Sequence, residues 1–244
     1  MAKGRGLRRI RSSLIFAVLL AITGLLAVHN VPTSVTSEDL VYLPRIFEET
    51  GHAALNEKSL EARSFEQEVV LVQAVQDAAL RIAPRNKPIP FDRAREPRDL
   101  YEMRQGLCYD RSRFIEKALR SLGLRTRHAS VYSTARTGSS LRSLATPQVS
   151  SHALSEVLTK RGWILVDSNS RWIGLTSDQR PVDLSHLYRD QKLRSAAWHD
   201  DARLPNILAS DFTYVIGLYS RHGRFYPPFT PLVPDISWLE LLGS

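Results

Sequence analysis

Apolar residues recur at helical spacing between Gln105 and Gly123, where Phe114, Ile115, Ala118, Leu119 and Leu122 form one stripe. Gly106 permits a tight approach and Gly123 is a natural C-terminal stop, so the pattern predicts a half-buried helix whose first turn holds Cys108. Upstream, Ser64-Phe65-Glu66-Gln67 reads as a capping box. It precedes Val69, Val70, Val72, Val75, Ala78, Ala79 and Ile82, which predict a helix of about five turns ending before Pro84. The proline- and arginine-rich stretch 84–97 predicts a loop leading to Leu100 and Tyr101.

After Gly123 the period changes from helical to alternating. Arg127–Ser133 predicts a strand, 135–151 a mobile loop, and His152–Thr159 with Trp163–Asp167 a hairpin around Lys160-Arg161-Gly162. With an even-length loop, His152, Leu154, Glu156 and Leu158 share a face with Trp163, Leu165 and Asp167, and His152 and Asp167 become near-diagonal neighbours. A three-residue loop puts them on opposite faces. Beyond Leu204, Phe212–Tyr219 predicts a strand, Arg221–Pro234 an irregular strap containing four prolines, and Asp235–Leu242 a short helix capped by Asp235. This extension packs on the domain as a lid, a groove wall or a plain surface strap. Trp238, Leu239, Leu241 and Leu242 also suit docking at a membrane.

Charge adds a topology. Lys3, Arg5, Arg8, Arg9 and Arg11 supply five of the eight net positive charges, leaving the rest of the 244-residue chain near neutrality. With 43% hydrophobic and 24% charged residues, that remainder suits one globular domain. No basic helix interleaved with aromatics follows, so nucleic acid is not an expected partner. The basic tail leads straight into Leu14–Val28, and no Asp, Glu, Lys or Arg occurs between Ser12 and Ser37. This is the pattern of a signal anchor: a cytoplasmic tail at 1–11, a membrane span at 12–35 and a connector at 36–63. A domain at 64–203 and the extension at 204–244 then lie outside the cytoplasm, in the periplasm of a Gram-negative cell. No small-x-small cleavage site follows the apolar run, which favours an uncleaved anchor over secretion after cleavage.

Export changes the reading of Cys108, the only cysteine in the chain. It has no disulfide partner here, so it is an inert buried residue, a site of intermolecular pairing or a reactive thiol. The start of a helix favours negative charge, which suits the last of these. His152 and Asp167 complete a set that thiol chemistry requires: a nucleophile, a base that takes and returns its proton, and a carboxylate that orients the imidazole.

Three motifs carry a family likeness. Gly106-Leu-Cys-Tyr-Asp110 opens a helix that ends in Leu122-Gly-Leu-Arg-Thr-Arg127; His152-Ala-Leu-Ser-Glu-Val157 and Gly162-Trp-Ile-Leu-Val-Asp167 follow. In this order, with Cys108, His152 and Asp167 separated by 44 and 15 residues, they resemble the transglutaminase-like superfamily of papain-type thiol enzymes over about residues 64–170. The resemblance implies an α+β fold with a catalytic helix packed on an antiparallel sheet, and it makes Cys108 the nucleophile, His152 the base and Asp167 the orienting residue. Gln105 or Tyr101 would assist the Cys108 backbone N–H in holding an oxyanion, with Glu156 and Asn169 as supporting residues. The chain departs from the family's common His-Ala-Trp pattern by carrying Leu154. Asp110 adds negative charge beside the thiol, which Arg111 and Arg113 offset.

The expected activity is thiol acyl chemistry on a peptide, protein or other amide through a thioester, with hydrolysis favoured over cross-linking and no metal or cofactor. An inactive module holding a peptide or envelope polymer is one alternative. An acyltransferase of the arylamine N-acetyltransferase type, suggested by Arg104-Gln-Gly-Leu-Cys108, is another. His52, His128, His186, His199 and His222 show no metal-ligand spacing, and Trp198-His-Asp-Asp201 reads as a solvated turn.

Overall fold

The structure is a computed structural model and describes residues 28–57, 63–222, 224 and 233–243, together with 15–19 and 23. Of the expected membrane span at 12–35, positions 12–14, 20–22 and 24–27 lie outside the described residues, while 28–35 are extended chain with His29–Asn30 paired to residues 235–236, so the span does not reach residue 35. Among those described, no helix is long and apolar enough to cross a membrane.

In chain order the elements are β1 (His29–Asn30), α1 (Ser37–Glu49), α2 (Phe65–Ile82), α3 (Pro97–Met103), α4 (Cys108–Ser121), β2 (Arg125–Ser133), α5 (Ser140–Ala145), β3 (Ser151–Thr159), β4 (Gly162–Asp167), α6 (Leu184–Arg189), α7 (Asn206–Ala209), β5 (Phe212–Ile216), β6 (Leu218–Tyr219), β7 (Asp235–Ile236) and α8 (Trp238–Leu242). Four strands form an antiparallel sheet in the order β4-β3-β2-β5, and β1-β7-β6 form a smaller one in which β1 runs parallel to β7. This mixed α+β architecture with antiparallel pairing fits the fold class expected from the motifs.

Helical period and strand alternation divide the apolar residues between two cores. Phe114, Ile115, Ala118, Leu119 and Leu122 of the α4 stripe pack with Val69, Val72, Val75 and Ile82 of α2 and with Val157, Ile164 and Val166 from one sheet face. Burying a side chain such as Phe114 or Ile115 stabilises the fold by about 1.5–3 kcal/mol. The opposite face contributes Ala129, Val131, Leu154 and Leu165 to a second core with Trp172, Leu184, Leu187 and Leu208. α2 begins where the sequence places it: Ser64 Oγ accepts from Gln67 N, and Gln67 Oε1 accepts from Ser64 N at 2.8 Å. The same helix start steadies the β3-β4 turn, since Glu68 accepts from Lys160 N at 2.8 Å and Arg161 lies 4.3 Å over Phe65.

Four regions differ from the expectations. Residues 37–49 are a packed helix rather than a spacer: Thr36 and Asp39 form a capping box, Leu43, Ile46 and Phe47 enter the first core, and Asp39 pairs with Lys117 of α4 at 2.5 Å. Within the stretch expected to be a mobile loop, Ser139 caps α5, because a serine ahead of a short apolar run is also a helix signal. The strand expected over 212–219 breaks at Gly217, whose φ of +75° and close approach to Ser237 O leave no room for a side chain. Ser237, not Asp235, caps the last helix; Asp235 is in β7 instead.

Candidate active site

Cys108 is the first residue of α4, half-buried at the end of the helix where N–H groups lack intrahelical partners. The approach is tight because a β-carbon on Gly106 would lie 2.7 Å from Leu100 Cδ1. Asp110 caps the turn by accepting from Leu107 N at 2.9 Å. Its carboxylate also takes the Arg95 guanidinium at 3.1 Å, with both side chains buried. Burial pushes the Asp110 pKa up, against the lowering effect of Arg95 and the backbone donors. Much of its expected opposition to a thiolate is thus balanced locally. The balancing cation is Arg95 rather than Arg113, which is occupied by Glu96 at 3.1 Å and Pro32 O at 2.7 Å.

β3 and β4 are joined in the even register. Thr159 faces Gly162 across a two-residue turn, and Leu154 faces Asp167. His152 and Asp167 therefore share a face as diagonal neighbours, and His152 Nε2 meets Asp167 Oδ1 at 2.5 Å. The second oxygen of Asp167 accepts from Ser170 Oγ at 2.5 Å. With Nε2 engaged, Nδ1 is the ring atom left to exchange a proton with Cys108, which lines the same cavity. Burial disfavours the imidazolium, but the hydrogen bonds from Asp167 and Cys108 and their charges outweigh it and push the His152 pKa up to about 10. Asp167 moves the other way: its burial is overcome by the His152 interaction and by Ser170 and Asn169, which hold it below the usual carboxylate range.

The thiol and imidazole line a cavity of about 480 Å³ with Asn86, Pro88, Phe91, Leu107, Tyr109, Ser151, Asn169 and Arg224. Arg111, one turn along α4, organises its floor. The guanidinium donates to Ala83 O at 2.9 Å and to the side-chain oxygens of Asn169 at 2.8 Å and Asn86 at 3.3 Å. Each amide thus spends its oxygen on Arg111, and both residues line the cavity.

Gln105 and Tyr101 do not line this cavity. Gln105 Nε2 donates to Pro88 O at 3.0 Å, and the Tyr101 ring lies against Tyr42 and beneath Arg104. The positions expected to donate to an oxyanion are therefore spent elsewhere, because the chain from α3 turns away before Gly106. Glu156 is also removed from the imidazole. Four residues along β3, or about 13 Å, it is fully buried, pairs with Arg127 at 2.6 Å and accepts from Leu184 N at 2.8 Å. Its role is to bind β3 to β2 and α6. Asn169, by contrast, does reach the cavity. Leu154, where the family commonly has tryptophan, is fully buried in the second core beside Trp172.

Sequence reasoning missed Asn86, Arg95, Ser170 and Gln76. Gln76, buried on α2, donates to Asp167 O and Trp172 O at 2.8 Å each and so holds the end of β4. A glutamine on the otherwise apolar face of α2 was its sequence signal. The others come from loops, where no period exists to read. Among the histidines, His52 pairs with Asp77 and His128 with Glu116, while His222 stands beside His29 and Asp235. Residues 198–201 do turn, with left-handed Asp200 and Asp201, although Trp198 is buried against Trp172.

Residues 61–168 match the family model of the transglutaminase-like superfamily, and the resemblance carried by the three motifs holds over that stretch. No curated protein matches the chain. A transglutaminase-like core marks a cysteine-dependent enzyme class that handles acyl and amide groups.

Proposed function

We propose that this protein is a thiol acyl enzyme that opens an amide through a Cys108 thioester and passes the acyl group to water. The observation that carries the reading is the meeting of Cys108 and His152 at one cavity, with the histidine held by the Asp167 carboxylate at 2.5 Å.

In the proposed cycle, the proton of the Cys108–His152 pair rests on His152 Nδ1, and the sulfur attacks the amide carbon. The backbone N–H of Cys108, which has no acceptor within its own helix, and the NH2 groups of Asn169 and Asn86 receive the developing oxyanion. As the tetrahedral centre collapses, imidazolium returns the proton to the leaving amine, giving amine and thioester. A water then gives a proton to His152 and attacks the thioester, releasing acid and thiol. Asp167 stays ionised throughout and keeps the imidazole in the required orientation.

The proposal extends to location. Five basic residues precede an apolar run, and the described part of that run is helical, with Ile15, Phe16, Val18 and Leu19 exposed rather than packed on the domain. This supports an anchor that displays the domain outside the cytoplasm. Substrates are peptides, proteins or other amides small enough at the scissile bond for the cavity.

Mass spectrometry of the protein incubated with an activated acyl amide tests the chemistry. An acyl adduct on Cys108 that decays to free acid is expected, and transfer to added amine at the expense of acid would redirect the reading to cross-linking. No adduct in the wild type would favour a binding module.

A further inference from the structure

We infer that His29, His222 and Asp235 form a binding site for a borderline divalent transition ion, typified by zinc, which ties the start of the described domain to its end. The site is separate from the thiol cavity and does not depend on its chemistry. The candidate ligand atoms all lie within 4.8 Å of one another, although they come from residues 29, 222 and 235.

Backbone pairing brings His29 to Asp235, and the Asp235 carboxylate holds His222 beside them. β1 pairs with β7 so that His29 is in register with Asp235, and His29 N donates to Pro234 O while Val31 N donates to Ile236 O, each at 2.9 Å. Asp235, buried at 3% exposure, has its two oxygens assigned to different tasks. Oδ2 accepts from the backbone N–H groups of Arg221 and His222 at 2.8 and 2.9 Å. Oδ1 faces His222 Nδ1 at 2.6 Å and His29 Nδ1 at 3.3 Å. Fixing one carboxylate oxygen from behind is how a supporting shell orients a monodentate ligand.

His29 Nδ1 supplies the second observation. It is buried and has no hydrogen-bond partner among the described residues, yet it points at the same oxygen that His222 already occupies. One oxygen facing two imidazole nitrogens leaves one of them unsatisfied. An ion between the three atoms satisfies all of them. In a tetrahedral site with bonds near 2.0–2.1 Å, ligand atoms stand about 3.3 Å apart. The His29–Asp235 distance already has this value, and the His222–Asp235 hydrogen bond must open by under about 1 Å. Two imidazole nitrogens and a single carboxylate oxygen suit zinc and its transition-metal neighbours, not calcium or magnesium, which require more oxygen ligands. The half-exposed His222 leaves a fourth position open to water.

The consequence reaches the thiol cavity. His222 precedes Arg224 by two residues, and Arg224 lines that cavity. An ion on His222 therefore fixes the root of one cavity wall to β1 and β7.

The test uses untagged full-length protein carrying Cys108→Ser, so that the thiol does not compete. Titration with zinc chloride in a calorimeter and with cobalt chloride in a visible spectrometer is expected to give one ion per chain and the absorption bands of a low-coordinate nitrogen-oxygen cobalt site. Affinity falls at least about tenfold in His222→Ala and in His29→Ala, and zinc raises the melting temperature of the parent but of neither variant. His152→Ala keeps the parent affinity. Both alanine variants retain the β1-β7 backbone pairing, and their melting without metal checks that they fold. Absence of saturable binding, parent affinity retained in either His222→Ala or His29→Ala, or loss of binding in His152→Ala would overturn the site; the last result would move the ion to the thiol cavity.

Discussion

Two of the histidine–carboxylate pairs in this domain border α4 with both partners buried, and they differ in access to the thiol cavity. His152 meets Asp167 at 2.5 Å, and His128 meets Glu116 at 2.6 Å. Both carboxylates are buried and both pairs border α4. They differ in what surrounds the rest of the ring. His152 lines an open cavity together with a half-buried thiol. His128 is fully buried and stacks on Tyr219 with centroids 4.2 Å apart, while Glu116 also takes Ser155 Oγ and Tyr219 Oη. Its second nitrogen has no hydrogen-bond partner among the described residues. A histidine held by a carboxylate is therefore not by itself a catalytic unit. Access and a nucleophile on the free nitrogen make the difference.

The comparison is broken or sharpened by substitution. His152→Ala removes the proton carrier and is expected to slow acylation of Cys108 by about 10³- to 10⁴-fold, read by stopped-flow with an activated amide, with little change in thermal melting. His128→Ala has the reverse signature. It strips a partner from the buried Glu116 and costs about 3–5 kcal/mol in denaturant unfolding, while acylation per folded molecule stays within about threefold. If both variants lose reactivity to the same degree, the two pairs are not distinct in function. Asn169→Ala takes one proposed oxyanion donor and slows acylation by about 10²-fold without changing substrate affinity to a similar extent; equal losses in rate and binding would make Asn169 a substrate-positioning residue only.

The pH profile gives the smallest and most specific effect. His152 holds its proton until about pH 10, raised from an ordinary value near 6.5. Leaving-group protonation by imidazolium is therefore available below about pH 10 and declines as pH rises through that value. Asp167→Asn removes a main cause of the raised value, so the alkaline limb moves to lower pH, checked by the rate of acylation across pH. An unmoved limb would assign it to another group.

Much of the catalytic geometry was legible because it follows from period. The α4 stripe placed Cys108 at a helix start, and strand alternation put His152 and Asp167 on one face once the loop was even. The turn length itself was not legible: Lys160-Arg161-Gly162 is compatible with two registers. Contacts with Glu68 and Phe65, distant in sequence, accompany the observed one. Loop residues were hidden for a similar reason. Asn86, Arg95 and Ser170 act through partners that no local pattern names, and Gln105 looked suitable only because it precedes the cysteine. The helix at 37–49 reads as a connector because Pro44 interrupts its apolar positions and its buried Asp39 makes sense only beside Lys117. The proposed anchor rests on the composition of residues 1–28 and on the exposed helical residues 15–19, not on 28–35, which are extended chain.

The most direct measurement is intact-mass trapping of the acyl-enzyme in wild type, His152→Ala and His128→Ala on the timescale of one turnover. A thiol centre at the cavity predicts a single acyl group on Cys108 in the wild type and in folded His128→Ala, and its near absence in His152→Ala. Equal labelling of Cys108 in all three, or an adduct at any other residue, would contradict it.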